Sequence, residues 1–312
     1  MSKDRLYLFD TTLRDGAQTA GIEFSLEDKL RIAALLDELG VDYVEGGYPG
    51  ANVVDDAFFA EPRTKRATFT AFGMAKRSGR SVGNDPGVQA TLNSSAPAVC
   101  FVGKSSEHQV RLTLGITPEE NLKNLKETVQ AAVAAGKETL VDCEHFFDGY
   151  KGNPAYTVSF VETALAAGAR WVVLCDTNGG TMPSEVEEIV AALPVDKGRL
   201  GIHAHDDTGQ AVANSLAAVR AGVRQIQGTL NGIGERCGNA NLVTIIPTLL
   251  LKPAFADAFE IGVSAEQLAG LTRISRAFDD LLNRASDRQA PYVGASAFAT
   301  KAGIHASALA KD

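Results

Sequence analysis

In the stretch Ile202-His203-Ala204-His205-Asp206-Asp207, two histidines stand two residues apart. On an extended backbone, side chains at that spacing leave the same face, an arrangement suited to gripping a metal ion. A second dense patch, Phe9-Asp10-Thr11-Thr12-Leu13-Arg14-Asp15-Gly16-Ala17-Gln18, packs two carboxylates and an arginine into six positions beside a glycine. Such density after a buried strand is costly unless it is used. Taken alone, Asp15 reads equally well as a charged loop residue. Beside the histidines it completes a mixed nitrogen and oxygen set without thiolate, which suits manganese, magnesium, cobalt, iron or zinc alike. Two imidazoles and one carboxylate leave positions open on a six-coordinate divalent ion. A 2-oxo acid can fill two of them with its carboxylate and ketone oxygens, and the ion then acts as a Lewis acid.

Three further clusters are polar where a strand ends. Leu230-Asn231-Gly232-Ile233-Gly234-Glu235-Arg236-Cys237-Gly238-Asn239-Ala240-Asn241 is glycine-rich, permitting close backbone approach to a ligand, and an asparagine oxygen or main-chain carbonyl there could complete a metal shell. In Asp142-Cys143-Glu144-His145, Glu144 is a candidate general base. In Cys175-Asp176-Thr177-Asn178-Gly179-Gly180, the Thr177 hydroxyl could hold a substrate carboxylate, whereas Asp176 and Asn178 are expected to cap a helix. Cys237 has no histidine near it in sequence, and we expect no nucleophilic role for it.

These clusters need a scaffold, and the chain supplies a repetitive one. Eight short apolar runs alternate with amphipathic helical patterns: Leu6-Phe9, Val41-Val44, Thr68-Phe72, Ala98-Val102, Thr139-Val141, Trp171-Leu174, Leu200-His203 and Gln225-Gln227. Eight repeats predict a TIM (β/α)8 barrel, whose chemistry sits at the C-terminal ends of the strands. A doubly wound open sheet is the alternative, disfavoured by the count. Ser25 and Gly40 read as helix cap and terminator, Thr117-Pro118-Glu119-Glu120 opens a helix that ends at Gly136, and Ser184-Glu185 and Asp207 read as further helix starts. After about residue 255 the alternation stops. Residues 1–255 are therefore expected to form the catalytic barrel and 256–312 a mainly helical linker subdomain, with one helix over Ser264–Arg284. The end, Ala310-Lys311-Asp312, carries no helix stop and reads as cut rather than finished.

With 45% hydrophobic residues the chain can bury a large core, and a formal charge of −8 with no basic run excludes a general nucleic-acid binder. The start lacks a signal-peptide pattern and no apolar stretch reaches membrane-spanning length, so a cytoplasmic protein is expected. Cys100, Cys143 and Cys175 lie in apolar runs like buried reduced thiols.

Leu13-Arg14-Asp15-Gly16-Ala17-Gln18, followed after ten residues by Lys29, together with Gly201-Ile202-His203-Ala204-His205-Asp206-Asp207-Thr208-Gly209, resembles the acetyl-CoA-dependent 2-oxo-acid synthases of the DRE-TIM metallolyase superfamily. Isopropylmalate, homocitrate and citramalate synthases belong there. The segments Val44 to Asn52, Asp142 to Lys151 and Leu174 to Gly180 look most like the citramalate synthases. The resemblance implies a condensation of acetyl-CoA with pyruvate, giving citramalate for isoleucine synthesis. It also implies a divalent cofactor, with Mn2+ or Mg2+ expected ahead of Zn2+ or Co2+. Carried over by residue, it makes Asp15, His203, His205 and Asn239 metal ligands. Arg14 would bind substrate and stabilise developing negative charge, Glu144 would abstract a proton from the acetyl methyl group, and Thr177 would bind the oxo-acid carboxylate. His305, in Ala302-Gly303-Ile304-His305, would assist catalysis in a neighbouring barrel, implying a homodimer. The family's assisting tyrosine and regulatory domain would lie beyond residue 312. Arg77, Arg80 and Lys104 are candidates for CoA phosphates by loop position. Three alternatives stay open: a 2-isopropylmalate synthase using 2-oxoisovalerate, an HMG-CoA-lyase-like enzyme that would need Cys237, and a catalytically silent regulatory barrel.

Overall fold

Every apolar run picked out by its repeat forms a strand of one closed parallel barrel. The computed structural model describes residues 3–302 together with Ser307 and Lys311. A short strand, β1 (Asp4–Arg5), precedes the barrel strands β2 (Tyr7–Asp10), β3 (Tyr43–Glu45), β4 (Thr68–Met74), β5 (Ala98–Lys104), β6 (Glu138–Glu144), β7 (Trp171–Asp176), β8 (Leu200–Ala204) and β9 (Gln225–Gly228). These pair in chain order, and β9 closes onto β2. A last strand, β10 (Phe259–Glu260), pairs with β1 outside the barrel. A helix follows each barrel strand, in turn Leu26–Leu39, Val53–Phe58, Pro86–Leu92, Pro118–Ala134, Pro154–Ala167, Pro183–Ala192, Ala211–Arg220 and Leu242–Leu251. This is the (β/α)8 architecture. Among the described residues no helix is long and apolar enough to cross a membrane.

Side chains alternate across each strand. One set, including Leu8, Val44, Leu174, Ile202 and Ile226, packs outward under the helices. The other fills the barrel, where Phe9, Tyr43, Ala98, Cys100, Leu140 and Trp171 form a separate apolar plug. Two residues further along their strands, the inward positions turn polar: Glu45 follows Tyr43 and Asp142 follows Leu140, at the same level as His203 and Gln227. The apolar plug is thus the floor on which the polar cluster stands.

Local signals account for most helix boundaries. Ser25 and Asp28 form a reciprocal capping box at the start of Leu26–Leu39, and Gly40 closes that helix at φ +86°. Thr117 caps Pro118–Ala134. Three expectations need correction. Asp207 starts no helix: the carboxylate of Asp206 accepts the Ala211 N–H at 2.8 Å, and Asp207 is taken up by Arg236. Pro183, not Ser184, opens its helix, with Glu185 reaching back to the Met182 N–H. The helix expected over Ser264–Arg284 is two, Ala265–Ala269 and Leu271–Leu281, broken at Gly270, whose N–H turns to the Gln267 carbonyl in a tight i→i+3 closure. Leu271, Ile274 and Phe278 bury that second helix in the common core.

Candidate active site

Strand register assembles the site. The β8–β9 pairing sets His203 opposite Gln227, and β5–β6 sets Val102 opposite Asp142 and Lys104 opposite Glu144. Asp15 reaches the same place from the loop after β2, whose turn is closed by the Asp15 N–H on the Thr11 carbonyl at 2.8 Å. Its Oδ2 lies 3.0 Å from Nε2 of His203 and 4.0 Å from Nε2 of His205, and the two Nε2 atoms are 3.3 Å apart. Asn239 arrives through the glycine-rich loop, which bridges back onto His205 and β8. Gly238 has φ +96°, and a Cβ there would fall 2.1 Å from the Gly232 carbonyl oxygen, so only glycine allows the approach. The side-chain amide of Asn239 ends 3.1 Å from Nε2 of His203.

Asp15, His203 and His205 are all buried, and their ligand atoms lie within 4.8 Å of one another. Two buried oxygens, Asp15 Oδ1 and Asn239 Oδ1, have no hydrogen-bond partner among the described residues. Leaving such atoms unpaired costs about 1–3 kcal/mol each, a cost that a cation between them would remove. The donor set therefore fits a divalent ion. Burial alone would raise the Asp15 carboxyl, but the Arg14 guanidinium and His203 hold it well below the usual range. Burial and the neighbouring His203 press His205 down to about 4, so near neutrality its ring keeps a lone pair for a metal. Desolvation would lower His203, yet its hydrogen bond with Asp15 leaves it raised.

Arg14 is held from every side. Its Nε donates to Glu45 at 2.6 Å, Nη1 to Asp15 at 3.2 Å, and Nη2 lies 4.0 Å from Asp142, with the guanidinium 4.3 Å over the Phe72 ring. A second group of potential ligands, Glu45, Cys100 and Asp142, also clusters here. Arg14 already answers its charge, and burial pushes the Cys100 thiol far up, away from thiolate. Three buried carboxylates, of Asp15, Glu45 and Asp142, thus face one guanidinium. Burial raises Glu45 to about 7 despite the pull of Arg14.

A cavity of about 830 Å³ opens over this cluster, lined among others by Arg14, Asp15, Glu144, Thr177, His203 and His205. Glu144 pairs with Lys104 at 2.7 Å, so Lys104 is engaged rather than a free cation for phosphates. Thr177 Oγ1 accepts the His145 N–H at 2.8 Å, with His145 in the left-handed region at φ 58°. Arg77 lines an adjoining cavity of about 380 Å³. Asp176 caps no helix: its carboxylate ties the following loop through Thr181, and Asn178 donates to Asp148 at 2.6 Å. Cys237 is exposed, whereas Cys100, Cys143 and Cys175 are buried and free. His305 lies outside the described residues. Glu45, Asp142 and Gln227 were not singled out from sequence; the available signal was a polar residue at an inward position of a strand buried on both faces.

Comparison with known proteins follows the same lines. The chain is 48% identical, over 99% of its length, to an (R)-citramalate synthase of Aquifex aeolicus, and 35% identical, again over 99%, to a 2-isopropylmalate synthase of Microcystis aeruginosa. It spans 58% of the first and 60% of the second. An HMG-CoA lyase of Pseudomonas aeruginosa shares the fold with TM-score 0.74 at 20% identity, covering both chains completely. The HMGL-like family matches residues 5–273. That match takes in every barrel strand and the whole acid and imidazole cluster, and on that extent the chain belongs to the HMGL-like family.

Proposed function

We propose that this protein condenses acetyl-CoA with pyruvate and water to give citramalate and free CoA. The observation that carries the reading is the convergence of Asp15, His203 and His205 on one point beside Arg14 at the floor of a large cavity. Pyruvate as acceptor is supported by the greater identity to (R)-citramalate synthase than to 2-isopropylmalate synthase. In this reading residues 1–255 are the catalytic barrel and 256–312 the linker of a cytoplasmic homodimer in isoleucine synthesis, with His305 serving a neighbouring barrel.

Asp15, His203 and His205, joined by Asn239 through its unpaired oxygen, would hold the divalent ion, with Mn2+ or Mg2+ expected from the family resemblance. Such an ion, when bound, supplies Lewis-acid polarisation of a ketone. Thr177 meets the acceptor's carboxylate: its oxygen already accepts from His145, so its own hydrogen is left to donate. Glu144, fixed on the wall by Lys104, takes the proton from the acetyl methyl group, and the resulting carbon nucleophile attacks the ketone carbon. Arg14 presents a rigid positive charge to the oxygen that becomes anionic. Hydrolysis of the thioester then releases CoA as a thiol.

Thiol release measured across several 2-oxo acids, with and without divalent metal, tests the reading. Metal-dependent release with pyruvate is expected, reduced at least about 100-fold in Arg14→Gln. Preference for 2-oxoisovalerate would select the isopropylmalate reaction instead, and no pyruvate-dependent release would remove the proposal.

A further inference from the structure

Behind the cluster runs a chain of buried side chains that the chemistry above does not use. Gln227 Oε1 lies 2.8 Å from Nδ1 of His203, and Gln227 Nε2 donates to Asp142 Oδ1 at 3.3 Å. The other oxygen of Asp142 faces Nη2 of Arg14 at 4.0 Å. A carboxylate only accepts, so Asp142 fixes the NH2 end of the Gln227 amide toward itself and turns the carbonyl end to His203. The carbonyl in turn requires hydrogen on Nδ1. Nδ1 is thereby committed to Gln227, and Nε2 is left as the ring atom that faces Asp15. Strand register fixes the first link, since His203 and Gln227 are paired neighbours, while Asp142 meets Gln227 from β6 across the barrel and Arg14 reaches Asp142 from the loop after β2. Gln227 and Asp142 are both buried, where an amide is tolerated only with its hydrogen bonds made.

We propose that Gln227 and Asp142 are positioning residues that couple the metal-binding ring of His203 to the anion-stabilising guanidinium of Arg14. Gln227 sets the tautomer and orientation of His203, while Asp142 sets Gln227 and draws Arg14 to the same wall. A glutamate at 227 would keep an acceptor for Nδ1 but would oppose Asp142 with no donor between them. An amide is the side chain that satisfies both neighbours. The inference rests on the metal reading above, and its test separates the two.

Cobalt titrations followed by visible absorption, nitrogen NMR of the histidine rings in the metal-free protein, and kcat and KM for thiol release are compared across wild type, Gln227→Leu and Gln227→Glu. In Gln227→Leu the cobalt dissociation constant rises about 10–100-fold, and the hydrogen-bonded Nδ1–H signal of His203 is lost. Gln227→Glu holds cobalt within about threefold of wild type because the acceptor remains. Its kcat falls at least about tenfold with little change in KM, because Arg14 is displaced. Wild-type cobalt affinity in Gln227→Leu, or equal weakening in both variants, overturns the proposal. If Gln227→Leu does not fold, wild-type kcat in Gln227→Glu overturns it alone. Wild type that binds no cobalt removes the metal reading, and this inference with it.

Discussion

Asp10 and Asp15, five positions apart, show how neighbours divide one residue type into two behaviours. Asp15 meets Arg14 and the histidines and stays ionised. Asp10, fully buried at the end of β2 with Thr12 on both carboxylate oxygens, is raised by desolvation to about 7. Between the ordinary aspartate value and about 7, the folded chain holds a proton at Asp10 that the unfolded chain has released, so stability from this group is full at low pH and lost as pH rises. Above about pH 7 that loss is complete, on the order of 4 kcal/mol. Asp10→Asn should therefore raise the urea midpoint at pH 8 far more than at pH 5, and an equal change at both would contradict the assignment. At this scale the sequence was legible where polar residues crowd a loop or repeat at short spacing, as at Arg14, Asp15, His203 and His205. Glu45, Asp142 and Gln227 stand on three strands far apart in the chain, and only barrel closure brings them together.

Strands and caps carry that convergence upward. Every apolar run became a strand because parallel strands buried on both faces must be apolar outward and bulky inward, and Ser25, Gly40 and Thr117 worked as caps because their roles need only local backbone. Asp207 failed as a cap because a nonlocal partner, Arg236, captures it, and Gly270 split a helix whose periodicity ran through it. Gly228 joins the two kinds of information. It ends β9, its carbonyl receives the Thr11 N–H at 2.9 Å, and a Cβ would stand 2.4 Å from the Ala240 carbonyl oxygen, next to Asn239. Gly228→Ala must push the glycine-rich loop away from the strand, costing about 1–3 kcal/mol. Thermal unfolding should show that loss, and cobalt titration a weaker site; a variant unchanged in both would mean that the loop is not positioned by this contact.

For the molecule as a whole, a net formal charge of −8 would repel anionic substrates, and at the barrel mouth both Arg14 and Lys104 are already paired with carboxylates. The same mouth holds more buried carboxylate than its own cations can neutralise. An apolar plug below, a closed ring of strands and a helix behind each strand make that imbalance sustainable, because Glu45 and Asp142 are fixed on barrel strands and Asp15 on the turn closed onto Thr11. The account thus depends on one cation at one place. The most direct measurement is anomalous diffraction at the manganese edge from crystals grown with Mn2+. It should show one strong peak at about 2.0–2.3 Å from an Asp15 oxygen and the Nε2 atoms of His203 and His205, whereas an absence of density there, or a peak among Glu45, Cys100 and Asp142 instead, would contradict it.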